Sequence, residues 1–109
     1  MKTIHAAERL AALGHASRLS VFRLLVEAGP GGMNASAIGD TLGLAPATLS
    51  FHLAHLSRVG LIQGERESRF IHYSANFNAM DELLHFLTHN CCQGDACLPQ
   101  TAACKTATS

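Results

Sequence analysis

NASAIGDTLGLAPATLSFHLAHLSRVG, residues 34–60, contains two short helical patterns joined by GLAPA. Asn34 is a strong N-cap, because its side-chain oxygen can accept from the free N–H groups of a first helical turn. Ile38 and Leu42 follow at i, i+4, and Gly43 supplies the C-terminal stop. Pro46 then opens a second helix, predicted over 46–59, at the first helical position, where its missing N–H costs nothing. Leu49, Leu53 and Leu56 line the buried face of that helix, and Gly60 ends it. Ala45 stands where a Ser or Thr cap would be stronger by about 1 kcal/mol.

Upstream, residues 4–13 predict a short amphipathic helix with Ile4, Ala7 and Ala11 along one stripe. Residues 17–29 predict a central helix. Its polar face is narrow (Ser20, Arg23, Glu27), which leaves Leu19, Val21, Phe22, Leu24, Leu25 and Val26 for burial. Gly29-Pro30-Gly31-Gly32 stops it. Downstream, LIQGERESRFIHYS (61–74) predicts two strands around a turn near Glu67-Ser68. Asn78 is expected to cap a last helix, with Asp81 and Glu82 in its first turn and Met80, Leu83, Leu84 and Leu87 as its apolar stripe.

Two short helices, the second with its own stripe, followed by a β-hairpin, make a winged helix-turn-helix. The expected class is mainly α (α+β), with a two-stranded hairpin as the wing. In such a motif the second helix enters the DNA major groove. Thr48, His52 and His55 fall at i, i+4, i+7 and are expected to face outward together, opposite the leucines. Their hydroxyl and imidazole groups can bond base edges or phosphates. Arg66 and Arg69 flank the hairpin turn and suit phosphate or minor-groove contact, although Glu65 and Glu67 beside them weaken the local field.

The 109 residues suit one domain with a modest core. With 48% hydrophobic and 15% charged residues the chain is globular rather than disordered. Eight Lys+Arg balance eight Asp+Glu, so DNA binding would rest on a local patch and groove fit, not on bulk charge. No apolar run is long enough to span a bilayer, and MKTIHAAERL, amphipathic and charged, is not expected to act as a secretory leader. The expected location is cytoplasmic, where thiols stay reduced.

The four cysteines crowd into residues 91–104, three of them within NCCQGDAC (90–97). Adjacent Cys91 and Cys92 are poorly placed to bridge each other, which favours metal or metalloid ligation over a disulfide framework. Residues 1–90 are thus expected to form the DNA-binding and dimerisation domain, and 91–109 an inducer-binding tail.

TLSFHLAHLSRVGLI (48–62), RESRFIHYS (66–74) and LGHASRLSVFRLLV (13–26) resemble the ArsR/SmtB family of metal-responsive repressors. The resemblance covers roughly residues 5–90. It implies a homodimer, paired through the first and last helices, that sits on operator DNA until an inducer binds. Ser50 and His52 match the family's recognition-helix positions, and Arg66 and Arg69 match its wing. Many arsenic-sensing members carry two cysteines on the first helix of the motif; here NASAIGDTLG (34–43) has none. Zinc-sensing members use Asp and His of the last helix. Asp81, His85 and His89 share a face, but the downstream His and acidic partner are missing, so they read as a solvated face.

The tail resembles that of a subset of arsenite repressors whose thiols lie just past the last helix. Trivalent arsenic and antimony prefer three soft thiolates in a pyramid. Cys91 and Cys92 supply two, and Gly94 lets Cys97 return as the third. Cys104 is a spare or a weak fourth ligand. The expected protein is no enzyme but a repressor of a metalloid-resistance operon, with As(III) or Sb(III) as inducer and double-stranded operator DNA as partner. Two alternatives stay open. One is a zinc, cadmium or lead sensor using these thiols with His89 or Cys104; the other is a thiol redox enzyme, for which a C-x-x-C motif and a basic neighbour are missing.

Overall fold

Residues 1–90 and 93 are described by the structure, a computed structural model. The chain runs α1 (Thr3–Leu13), α2 (Ala16–Ala28), β1 (Met33–Asn34), α3 (Ala35–Leu42), α4 (Pro46–Arg58), β2 (Ile62–Glu67), β3 (Phe70–Ala75) and α5 (Phe77–Thr88).

The centre of the molecule is α2. Val21, Phe22 and Leu25 are buried, at a spacing that presents one face, and they pack with Ile38 of α3 and Leu49, Leu53 and Leu56 of α4. Leu24 and Val26 flank this cluster half-buried, whereas Leu19, expected inside, lies on the surface. His15 caps α2 through its ring: Nδ1 accepts from the Ser17 N–H at 3.2 Å. Arg18 donates from Nε to the Ala12 carbonyl at 2.7 Å, which satisfies an acceptor at the end of α1.

Asn34 caps α3 as the sequence predicts, its Oδ1 accepting from the Ala37 N–H at 2.8 Å. Gly43 ends α3 in the left-handed region, at φ 68. Helix α4 starts at Pro46 with no side-chain cap on Ala45. The wing is antiparallel, with Ile62 paired to Ala75 and Glu67 to Phe70. Its two-residue turn is made by Ser68, at φ 58, and Arg69. Ser68 thus takes the left-handed position that Gly or Asn usually fills in such turns.

Two features differ from expectation. The sheet has three strands in the order β1-β3-β2, because Met33 and Asn34 pair with Tyr73 and His72. Two residues are too few to show strand periodicity. Gly32 makes the pairing possible: at φ 68 it approaches so closely that a Cβ would stand 2.1 Å from the Tyr73 carbonyl oxygen. The cap of α5 is Asn76, not Asn78, with Oδ1 accepting from Ala79 N–H at 3.1 Å. Asp81 and Glu82 therefore fall past the first turn. Asn76 is fixed there by other bonds, its N–H to the Leu61 carbonyl at 2.8 Å and its Nδ2 to the Gly60 carbonyl at 3.2 Å.

Arg9 joins α1 to the rest. Its Nε donates to the Val59 carbonyl at 3.0 Å, and its Nη1 lies 3.4 Å from both the Ala79 carbonyl and Glu82 Oε1. The predicted stripe of α1 turns away from this core: Ile4, Ala7 and Ala11 are exposed, while Ala6 and Ala12 are buried. Along α5 only Leu83 of the predicted stripe is buried, and Leu84 and Leu87 are exposed. Both helices so keep an apolar face that the other described residues leave exposed. No helix among the described residues is long and apolar enough to cross a membrane.

Candidate nucleic-acid interface

Helix α4 carries the candidate surface, and α2, α3 and the wing hold it. Leu49, Leu53 and Leu56 fix its inner face, and the exposed positions include Ala47, Thr48, Ser50, Phe51, Ala54, Ser57 and Arg58. Thr48 and Ser50 thus present hydroxyls to solvent near the N-terminal end. His55 is half-buried.

His52 corrects the expected outward stripe. It is only 5% exposed and packs its ring against His15, with centroids 4.9 Å apart and planes tilted by 48°. The reason is helical geometry. At 3.6 residues per turn, His52 lies about 40° round the helix from Leu56, on the flank of the buried face, whereas Phe51 lies about 160° from Leu53. Phe51 accordingly stands 66% exposed. The 100° rotation per residue, applied from the leucines, finds this aromatic from sequence; attention to polar residue types passes over it.

The His52 Nδ1 has no hydrogen-bond partner among the described residues. Burial lowers the His52 pKa from its ordinary value, and the nearby His15, Arg18 and His55 lower it further. The His55 pKa is lowered too, first by burial and then by Arg18, Arg58 and His15. Of these groups Arg18 and Arg58 carry permanent positive charge beside α4, in a chain of zero net charge. A local basic patch of this kind is what phosphate contact requires.

On the wing, strand pairing separates the charges that the sequence places side by side. Residues directly opposite in an antiparallel pair share a face. Arg66 pairs with Ile71, while Glu65 pairs with His72 and Glu67 with Phe70, so the glutamates lie on the other face from Arg66. Glu67 Oε1 is 3.4 Å from His72 Nδ1. Arg66 and Arg69 are both exposed.

Along α5, the rings of His85 and His89 lie 5.6 Å apart. His89 is already past the helix, with extended backbone at φ −60 and ψ 128, so the regular i+8 position relative to Asp81 is lost. Among the described residues no three His, Cys, Asp or Glu side chains come together as a metal-binding group. Cys91, Cys92 and Cys97, the predicted inducer ligands, lie outside the described residues, as does Cys104.

A helix-turn-helix domain family matches residues 13–65. Among solved structures, the chain is similar in fold to an ArsR-like transcriptional regulator from Rhodococcus sp. RHA1. The TM-score is 0.73 at 23% identity, over 97% of this chain and 94% of that one. HlyU from Vibrio cholerae N16961 is 30% identical, with a TM-score of 0.64 over 85% of this chain and all (100%) of HlyU. The homodimeric winged helix-turn-helix DNA-binding domain of Mb0332 from Mycobacterium bovis, a possible ArsR-family transcriptional regulator, is 25% identical. Its TM-score is 0.60, over 78% of this chain and 83% of that domain. No curated protein sequence matches the chain.

Proposed function

Because the chain belongs to the ArsR/SmtB family of winged-helix transcriptional regulators, we propose that it is a homodimeric repressor released from operator DNA by trivalent arsenic or antimony. The observation that carries the inducer assignment is the donor set of NCCQGDAC, three thiols within nine residues of the end of α5 in the sequence. Three soft thiolates suit a soft, pyramidal ion better than they suit zinc, whose sites usually space their cysteines by two to four residues. Cys91, Cys92 and Cys97 would hold the ion, which supplies no more than a covalent tie among the three sulfurs.

The exposed apolar faces of α1 and α5 support dimerisation, because Ile4, Leu10, Leu84 and Leu87 otherwise remain in water. In the dimer each α4 faces one half-site, with Thr48, Ser50 and His55 toward the bases and Arg66 and Arg69 toward phosphates. His52 takes a different part, wedged between α4 and the start of α2, where it sets the tilt of α4. Since the thiols are tethered to the end of the dimer helix α5, tying them together alters the spacing of the two α4 helices. Half-sites one helical turn apart, about 34–36 Å, tolerate little change in that spacing.

The test is a titration of arsenite, antimonite, zinc and cadmium against operator binding, followed by fluorescence anisotropy. Release by arsenite and antimonite at near-stoichiometric concentration supports the reading. Release by zinc or cadmium alone replaces it with a divalent-metal sensor on the same scaffold.

A further inference from the structure

We propose that Phe51 reads the C5-methyl group of thymine in the major groove, so that the protein selects a T·A pair at one position of each half-site. This rests on the DNA-binding reading above. The ring is 66% exposed on the outer face of α4, although every leucine of that helix is buried or nearly so. The buried His52 ring lies beside it in a T-shaped arrangement, with centroids 5.8 Å apart and planes at 64°. Phe51 thus presents an aromatic ring to solvent beside the buried His52 ring.

A phenyl ring has no group to bond a phosphate or a base edge. The apolar feature that the major groove presents is the thymine methyl. The surroundings suit that occupant. Ala47 and Ala54, about one turn before and after Phe51, are exposed and small, so the helix backbone can come close to the base edges. Arg58 is exposed on the same face, and Arg18 adds a second permanent positive charge beside α4. A polyanion with a buried apolar contact fits this pattern of one ring among cations. The chain's apolar dimer faces lie elsewhere, on α1 and α5.

The experiment uses the full chain and an operator duplex selected from random sequence by binding. Each thymine of the operator is replaced in turn by deoxyuridine, which removes only the methyl, and affinity is measured by anisotropy. One thymine per half-site should be sensitive, each loss lowering affinity about fourfold, the value of one buried methyl. Replacing that T·A pair by C·G should weaken binding, and 5-methylcytosine at the same place should restore part of the loss. Phe51→Ala and Phe51→Gln, both at an exposed position and checked for unchanged melting, should bind the thymine and deoxyuridine duplexes equally. Insensitivity to every deoxyuridine overturns the inference, as does an undiminished deoxyuridine penalty in both Phe51 variants. If selection retains no duplex at all, the DNA-binding reading itself falls, a distinct outcome.

Discussion

His52 is buried between two helices, its Nδ1 has no partner among the described residues, and its burial makes stability depend on pH. Burial first, then the charges of His15, Arg18 and His55, hold its folded pKa below the ordinary 6.5. The unfolded chain therefore takes up this proton before the folded one does. The stability that neutral His52 contributes is complete above about pH 6.5 and is lost as pH falls through the depressed value. Urea midpoints at pH 7.5 and 5.5 should show a clear drop for the native chain and a smaller one for His52→Gln, with His55 adding in the same direction. Equal drops in both proteins would show that His52 is not the titrating group. At the surface, Arg66 is separated from Glu65 and Glu67 by the strand pleat. Arg66→Ala should reduce the salt slope of operator binding by roughly one unit for a lost phosphate contact. An unchanged slope would remove the wing arginine from the interface.

At the scale of elements, the helix-turn-helix was legible because its signals are local: the Asn34 cap, Gly43 in the left-handed region and Pro46 at the first helical position all act where the residues suggest. What the sequence hid was set by distant partners. Strand β1 exists because Gly32 lets the chain lie against Tyr73, and Asn76 rather than Asn78 caps α5 because Leu61 and Gly60 bond it in place. His52 differs: its polarity suggests a wet position, but helical geometry puts it on the flank of the buried face, where His15 covers it. Gly32→Ala is the sharpest check on the sheet. A Cβ there meets backbone at φ 68, so the variant should lose about 2 kcal/mol or more, whereas Gly31→Ala, with open space around it, should cost little. Similar losses in both would mean that the close approach does not hold the sheet.

At the scale of the whole molecule, the proposed function joins the apolar faces of α1 and α5 to the thiols that follow α5 in sequence, as a dimer seam with a ligand site attached to it. Leu84→Asp or Leu87→Asp, each changing an exposed position of the single chain, should leave the fold intact and yield monomers with weak operator affinity. A native chain that sediments as a monomer would contradict the seam. We propose that Cys91, Cys92 and Cys97 together convert capture of a trivalent metalloid into release of DNA. The most direct measurement is the anisotropy of labelled operator during arsenite titration of the native chain and of the Cys91→Ser, Cys92→Ser, Cys97→Ser and Cys104→Ser variants. All five proteins should bind the operator without arsenite, and only the native chain and Cys104→Ser should let it go as arsenite is added. Release from any of the Cys91, Cys92 or Cys97 variants at the native concentration, or retention by the native chain, would contradict the proposal.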